Sequence, residues 1–494
     1  MTDNRQKFYI TTAIPYVNAP PHIGHALEFI QADVIRRYQH LLGKETLLLS
    51  GSDENALKNV QAAAEAGADI KTFIDTNTNH FRKLADALDV HFDVFQRGSD
   101  SERHFSSSQE LWRRCDAAGD IYKKAYRGLY CVGCEAFYEL EELTPEGECS
   151  EHPGKKLEVV EEENYFFRLA KYQGRILELI RSGELTIIPA TRRNEVLAFL
   201  ERPLEDISIS RTNERARNWG VPVPGDDTQR IYVWFDALNI YQSGIGFGWD
   251  EERYQKWWPA DLHLIGKGII RFHAVYWPAF LFSAGLEPPK ALAVHGYLTV
   301  NGQKMSKSLG NVVDPFQLIS RYGADPLRYF LLRGVPFSQD GDFSEEKLAA
   351  VYNGDLANGL GNLVARVAAL GERVSPLAFN ADRDVESVVL TAAAKAHTAV
   401  TEEFRAFRFH EALAALWRTI STADGYISEA KPWEIQEPER FGRVIGNACY
   451  LITTVGALLE PFLPDTARRI ADQISYHDGA FEIKKGAVLF PRLD

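Results

Sequence analysis

Two short stretches carry residues suited to handling phosphate. His22-Ile23-Gly24-His25 falls where a loop containing Pro15, Asn18, Pro20 and Pro21 gives way to Leu27, Ile30, Val34, Tyr38 and Leu41 at helical spacing. A helix N-terminus offers unpaired backbone N–H groups and partial positive charge to an anion. Histidines three residues apart face the same side, and a glycine between them lets a nucleotide approach the backbone. The second stretch, Asn301-Gly302-Gln303-Lys304-Met305-Ser306-Lys307-Ser308-Leu309-Gly310-Asn311, follows a strand pattern ending at Gly296. It is therefore a loop beyond a strand end, where ligands sit in open α/β sheets. Its two lysines and two serine hydroxyls suit a polyphosphate. Taken singly, each stretch has a plainer reading: a helix start with two solvated histidines, and a basic surface loop.

A third cluster has metal-ligand spacing. Cys131-Val132-Gly133-Cys134 and Cys149-Ser150-Glu151-His152 form C-x2-C and C-x2-H pairs. Four such side chains make a tetrahedral, fully occupied site, which is the pattern of one structural Zn2+. The chain has five cysteines, an odd number, and three of them lie in this cluster. A disulfide framework is not indicated.

Positioning these residues requires a sheet. Phe8 to Ile14 reads as a strand, the helix after the loop runs to about Leu42 and stops at Gly43, and Leu47-Leu48-Leu49 reads as the next strand, followed by an alanine-rich helix to Gly67. Strands alternating with helices predict a parallel sheet. The alternation breaks from about Asp120 to Asp227, where short β-like pieces and acidic runs suggest an insertion. It resumes at Ile231–Phe235, Asp261–Ile265 and Ala291–Gly296. After about Ser344 the chain reads as helical to about Ile474, with Asp355–Leu370 and Ala392–Ile420 as examples. The expected fold is α/β: a Rossmann-type catalytic domain in two halves (1–118 and 229–300) split by a zinc-knuckle insertion (119–228), a lysine loop and connector (301–345), and an all-α bundle (346–494).

The chain has 494 residues and a net charge of −13. That charge counts against a non-specific nucleic-acid binder but leaves room for one RNA held by local basic patches. No run approaches the roughly 20 apolar residues of a membrane span, and the polar N-terminus is unlike a secretory signal. A cytoplasmic protein without a membrane partner is expected.

The histidine and lysine stretches together resemble the HIGH and KMSKS signatures of class I aminoacyl-tRNA synthetases, in the right order and without a substitution. The surrounding residues are similar to the methionyl branch of that class: Ala13-Ile14-Pro15-Tyr16-Val17-Asn18, Tyr232-Val233-Trp234-Phe235-Asp236-Ala237, Ile265-Gly266-Lys267 continuing to Arg271-Phe272-His273, and His295-Gly296-Tyr297-Leu298-Thr299-Val300-Asn301-Gly302. The resemblance covers Phe8 to Arg492. It implies a ligase that activates L-methionine with ATP and Mg2+ and then charges tRNA(Met). His22, His25, Lys304 and Lys307 would be catalytic. Gly24, Gly266, His295, Leu298 and Lys307 would surround ATP. Ile14, Tyr16, Asp53, Trp234, Ala237, Tyr241, Ile269 and His273 would surround methionine, with Asp53 on the ammonium and His273 or Tyr16 donating a weak hydrogen bond to sulfur. Asn362, Arg366 and Trp433 would meet the anticodon. No segment resembles the dimerising C-terminal module of longer relatives, so a monomer is expected.

The chain departs from that family's pattern at Asn55-Ala56, where His-Gly is usual, at Gly268, where an acidic residue is usual, and at Leu238, where proline is common. Gly268 and Asn55 leave open a catalytically inert tRNA-binding paralogue. The large synthetases for leucine, isoleucine and valine carry a much longer insertion with an editing domain, for which this chain has no room. A cysteinyl enzyme would bring zinc to its amino-acid pocket. A small nucleotidyltransferase would lack the helical half.

Overall fold

The computed structural model describes residues 6–131, 136–138, 140–149, 157–305 and 310–493. They divide into two compact units. One comprises Met1–Pro21, Gln39–Asp86 and Val90–His295, and the other His22–Tyr38, Ala87–Asp89 and Gly296–Asp494.

The first unit is built on a six-stranded, all-parallel sheet. Its order is Val94–Arg97, Glu45–Ser52, Lys7–Thr11, Leu262–Gly266, Ala291–His295, Thr186–Ile188. Both faces of the central strands are buried, so they read as continuous apolar runs, Leu47-Leu48-Leu49 and Leu292-Ala293-Val294 among them. The first strand sits mid-sheet, with Ile10 opposite Leu262 and Thr11 opposite His263. Strand order reverses there, making the crevice beyond Thr11 and Gly266 the topological switch point at which such sheets bind ligands.

Two features differ from the sequence reading. The edge strand Thr186–Ile188 comes from within the segment read as an insertion and pairs with Ala291–Ala293. With three residues, it is too short to show a period. The run Ile231–Phe235 is not a sheet strand. Asp226–Ile231 belongs to a small antiparallel sheet with Ser210–Thr212 and Pro222–Val223, and Val233–Leu238 is a short helix. The same segment also holds an antiparallel sheet ordered Ala136–Tyr138, Ile121–Cys131, Glu158–Phe167, Ile207–Ser208, and the helices Gln173–Ser182 and Ala190–Leu200.

The second unit contains most of the helix Ile23–Leu41 and the helical C-terminal part of the chain. The long helices there are Ser387–Arg405, Phe409–Ala430 and Pro438–Leu459. The stretch read as one helix over Ala392–Ile420 is broken at Ala406–Arg408. Phe407 adopts a positive φ of 56° there, a conformation costly for a residue with a Cβ. Its ring packs against Phe337 and Phe409, which compensates. The unit is not wholly helical. Leu377–Ala378, Ala480–Ile483 and Ile474–His477 form a three-stranded sheet. Pro438–Leu459 is long and apolar enough to cross a membrane by length and composition, but 67% of that window is buried within the fold.

Candidate active site

In the first unit, the predicted amino-acid pocket assembles at the carboxyl ends of the parallel strands. Ile14 and Tyr16 follow the first strand, Asp53 follows Glu45–Ser52, and Ile269 lies in the turn Lys267–Ile269 after Leu262–Gly266. A parallel bridge joins Tyr16 to Asp53, with the Asp53 amide donating to the Pro15 carbonyl at 2.8 Å. Asn59 fixes the same loop by donating to the Asp53 carbonyl at 2.9 Å. Asp53 is 4% exposed, so its loop holds a carboxylate in a dry site, where a substrate ammonium is a strong partner.

Aromatic rings make the facing wall. Tyr16 meets Trp234 edge-on at 6.3 Å, and Trp234 stacks flat on Phe272 at 3.7 Å. Ala237 lies on the same short helix as Trp234. Tyr241 and His273 are both buried, the Tyr241 hydroxyl lying 2.8 Å from His273 Nε2. His273 Nδ1 lies 2.9 Å from the Ile269 carbonyl, an acceptor only, so the ring proton resides on Nδ1 and Nε2 accepts from Tyr241. Burial pushes this imidazole down to about 4, so it is neutral at pH 7. Its single N–H is therefore engaged by backbone in this arrangement, whereas the resemblance implied that His273 or Tyr16 would donate to a substrate sulfur. It orients Tyr241 instead. Phe272 and the Tyr241–His273 contact were not read from sequence; an aromatic at these positions has no signal that separates packing from function.

This titration has a measurable consequence. The folded value of His273 lies below the unfolded value of about 6.5, so the unfolded chain binds the extra proton between them and stability falls as pH falls through that window. On going from pH 7 to pH 4.5, we expect wild-type protein to lose about 2–3 kcal/mol more unfolding free energy than His273→Gln. Urea melts at both pH values check this; equal losses would refute it.

In the second unit, His22 precedes the helix Ile23–Leu41 and the two signature imidazoles lie 4.0 Å apart between ring centroids. They cap the helix reciprocally: the Gly24 amide donates to His22 Nδ1 and the His22 amide to His25 Nδ1, both at 3.1 Å. Gly24 is required by this arrangement, since a Cβ there would lie 2.9 Å from the His22 ring. Burial lowers His22 to about 4 and His25 well below the usual histidine value, the neighbouring imidazole adding to the effect on His25. Leu298 is buried at the start of the strand Leu298–Val300, and Lys304 ends the hairpin strand Gln303–Lys304. Lys307 lies outside the described residues.

Gly266 and His295 end adjacent strands of the first unit's sheet and pair in register. Gly268 is an exposed position in the turn Lys267–Ile269 and presents no side chain where the family usually has a carboxylate. In the helical part, Asn362 and Arg366 share the helix Asn362–Gly371, Arg366 pairing with Asp424 at 2.8 Å. Trp433 is 52% exposed on the turn Pro432–Glu434. Both that helix and that turn pack against Pro438–Leu459.

Of the four predicted zinc ligands, Cys131 and Cys149 are described and buried; Cys134 and His152 lie outside the described residues. Among the described residues no three metal-ligating side chains cluster.

A doubly wound parallel sheet with a topological switch point, and histidines capping a helix N-terminus, are features of nucleotide-handling enzymes of the class I synthetase type. The family model described as tRNA synthetases class I (M) matches residues 8–368. Among curated proteins, the methionine–tRNA ligase of Brucella suis biovar 1 is 42% identical over 95% of this chain and 92% of its own. That of Thermotoga maritima is 43% identical over 96% of this chain and 76% of its own. The solved structure of Mycobacterium tuberculosis methionyl-tRNA synthetase in complex with methionyl-adenylate superposes with a TM-score of 0.93 at 39% identity, covering 99% of this chain and 100% of that one. The chain belongs to the methionyl branch of the class I tRNA synthetases.

Proposed function

We propose that the chain activates L-methionine with ATP, forming methionyl-adenylate and pyrophosphate, and then esterifies the 3′ end of tRNA(Met). The observation carrying this is the first-unit pocket, in which a buried carboxylate and an apolar aromatic wall are held by adjacent loops at the switch point. The carboxylate of methionine attacks the ATP α-phosphate and pyrophosphate departs with its Mg2+. A ribose hydroxyl of the tRNA terminus then attacks the adenylate carbonyl, releasing AMP. Asp53 holds the substrate ammonium, while Ile14, Tyr16, Trp234, Ala237, Tyr241, Ile269 and His273 enclose the thioether. His22 and His25 stabilise charge at the α-phosphate, Lys304 and Lys307 hold the pyrophosphate, and Gly24, Gly266, His295 and Leu298 seat the nucleotide. Because the nucleophile belongs to the substrate, the protein contributes positioning and charge stabilisation.

ATP–pyrophosphate exchange, run separately with each standard amino acid, tests the reading. Exchange stimulated by methionine alone supports it, and none with any amino acid overturns it in favour of an inert paralogue.

Cys131, Cys134, Cys149 and His152 would hold one structural zinc. The C-x2-C and C-x2-H spacing supports this, and burial of Cys131 and Cys149 is compatible with it. When bound, the metal staples the insertion. Asn362, Arg366 and the half-exposed Trp433 meet the anticodon, the indole offering a stacking surface. Trp433→Ala should weaken tRNA charging by about 1–3 kcal/mol in kcat/KM while leaving methionine-dependent exchange unchanged. Equal loss of both activities would contradict the assignment. A cytoplasmic, monomeric protein completes the proposal.

A further inference from the structure

One buried charge next to the pocket has no part in the chemistry above. Asp236, 2% exposed, lies in the first turn of the helix Val233–Leu238. It sits between pocket residues Trp234 and Ala237. Three donors from two other parts of the chain converge on it. Ser108 donates to Oδ1 at 2.9 Å, His104 Nε2 lies 2.7 Å from the same oxygen, and Asn55 Nδ2 donates to Oδ2 at 2.7 Å. A carboxylate accepts only, so the His104 proton is on Nε2, and Nδ1, 2.8 Å from the Ser243 hydroxyl, accepts from it. Asn55 also donates to the Gly98 carbonyl at 2.7 Å. With both of its neighbours acceptors, its amide can stand only one way round.

A buried carboxylate is tolerated when its oxygens are satisfied, and Asn55 supplies the donor for one of the two. Asn55 lies two residues beyond Asp53, on the loop that presents the ammonium ligand. Asp236 lies on the helix that presents the aromatic wall. The Asn55–Asp236 contact therefore ties together the two parts of the chain that would recognise the two ends of the amino acid. The His104 contact anchors the same helix to the start of His104–Ala117. Asn55 is also a position at which this chain departs from its family's usual histidine.

Resting on the proposed methionine pocket, we infer that Asn55 and His104 are positioning residues. Through Asp236 they set the spacing between Asp53 and the Trp234–Ala237 wall, and so the length of amino acid accepted. Asn55→Ala removes a donor without adding bulk. His104→Leu removes the second donor, and His104→Gln retains an N–H near the Nε2 position. The readouts are separate KM values for methionine and ATP, and kcat, in pyrophosphate exchange, measured well below each variant's melting temperature. We expect Asn55→Ala and His104→Leu to raise methionine KM tenfold or more, with ATP KM within twofold of wild type, and His104→Gln to stay within threefold for both. A lowered melting temperature with unchanged methionine KM would overturn the inference and leave these residues as mere scaffold. Parallel rises in both KM values, or His104→Gln as impaired as His104→Leu, would also overturn it. Absence of methionine-dependent exchange in the wild-type protein would instead remove the reading beneath it, so the two failures are distinguishable.

Discussion

Replacing His25 with alanine is expected to lower kcat for methionine-dependent pyrophosphate exchange by about 100- to 1,000-fold, the cost typical of losing one preorganised donor to developing charge. The expectation rests on which nitrogen carries the proton. Each signature imidazole accepts a backbone N–H at Nδ1, so each neutral ring carries its hydrogen on Nε2. Burial keeps both rings neutral at pH 7. In the proposed mechanism they would act as neutral donors, and catalysis should show no histidine-type inflection from them between pH 6 and 8. Alanine removes the Nε2 donor and also the acceptor that fixes the His22 amide. Methionine affinity, which in the proposed reading is set by residues of the other unit, should be unchanged. Retention of kcat within tenfold, with methionine KM raised instead, would remove His25 from the catalytic role.

The parts of the site legible in sequence were those whose local pattern and chemistry coincide. His22, Gly24 and His25 are spaced for a helix start, and that start is where they lie. Glycine there leaves room for the His22 ring itself, a contact the sequence did not suggest. Alternating strands and helices gave the sheet, because central parallel strands are buried on both faces and read as apolar runs. Ile231–Phe235 was misread because a five-residue apolar stretch shows no distinguishing period. The C-terminal hairpin was legible and overlooked. Asp478-Gly479 occupies its turn with φ of 50° and 80°, a dipeptide favoured where two consecutive residues need positive φ. The Asp236 clamp could not be read at all. Its members Asn55, Ser108, His104 and Asp236 are brought together by tertiary packing and share no motif.

Replacing Arg328 with methionine should destabilise the protein by about 3–5 kcal/mol, the range for breaking a buried ion pair from one side. Arg328 and Asp33 are both fully buried in the second unit, and Arg328 Nη2 lies 2.8 Å from Asp33 Oδ2. The guanidinium also donates to the carbonyls of Phe462 at 2.8 Å and of Leu88 and Pro461 at 3.1 Å. Those carbonyls lie just past the ends of Pro438–Leu459 and Ile70–Ala87, where helix carbonyls lack partners and a cation is favoured. One side chain therefore satisfies three backbone acceptors and the carboxylate of Asp33, on the helix that begins at the signature histidines. Methionine approximates the length of the arginine stem but leaves four acceptors without that donor. Arg37, 2.8 Å from Asp33, neutralises part of the remaining charge, which keeps the expected loss at the lower end of the range. Asp33→Asn should cost less, since the three carbonyl contacts survive. The double variant should lose less than the sum of the two single losses, because the charge stranded by Arg328→Met is gone. Urea denaturation of the four proteins measures all three differences. A strictly additive double variant would mean that the stability lies in the carbonyl contacts alone and that the Asp33–Arg328 pair contributes nothing of its own.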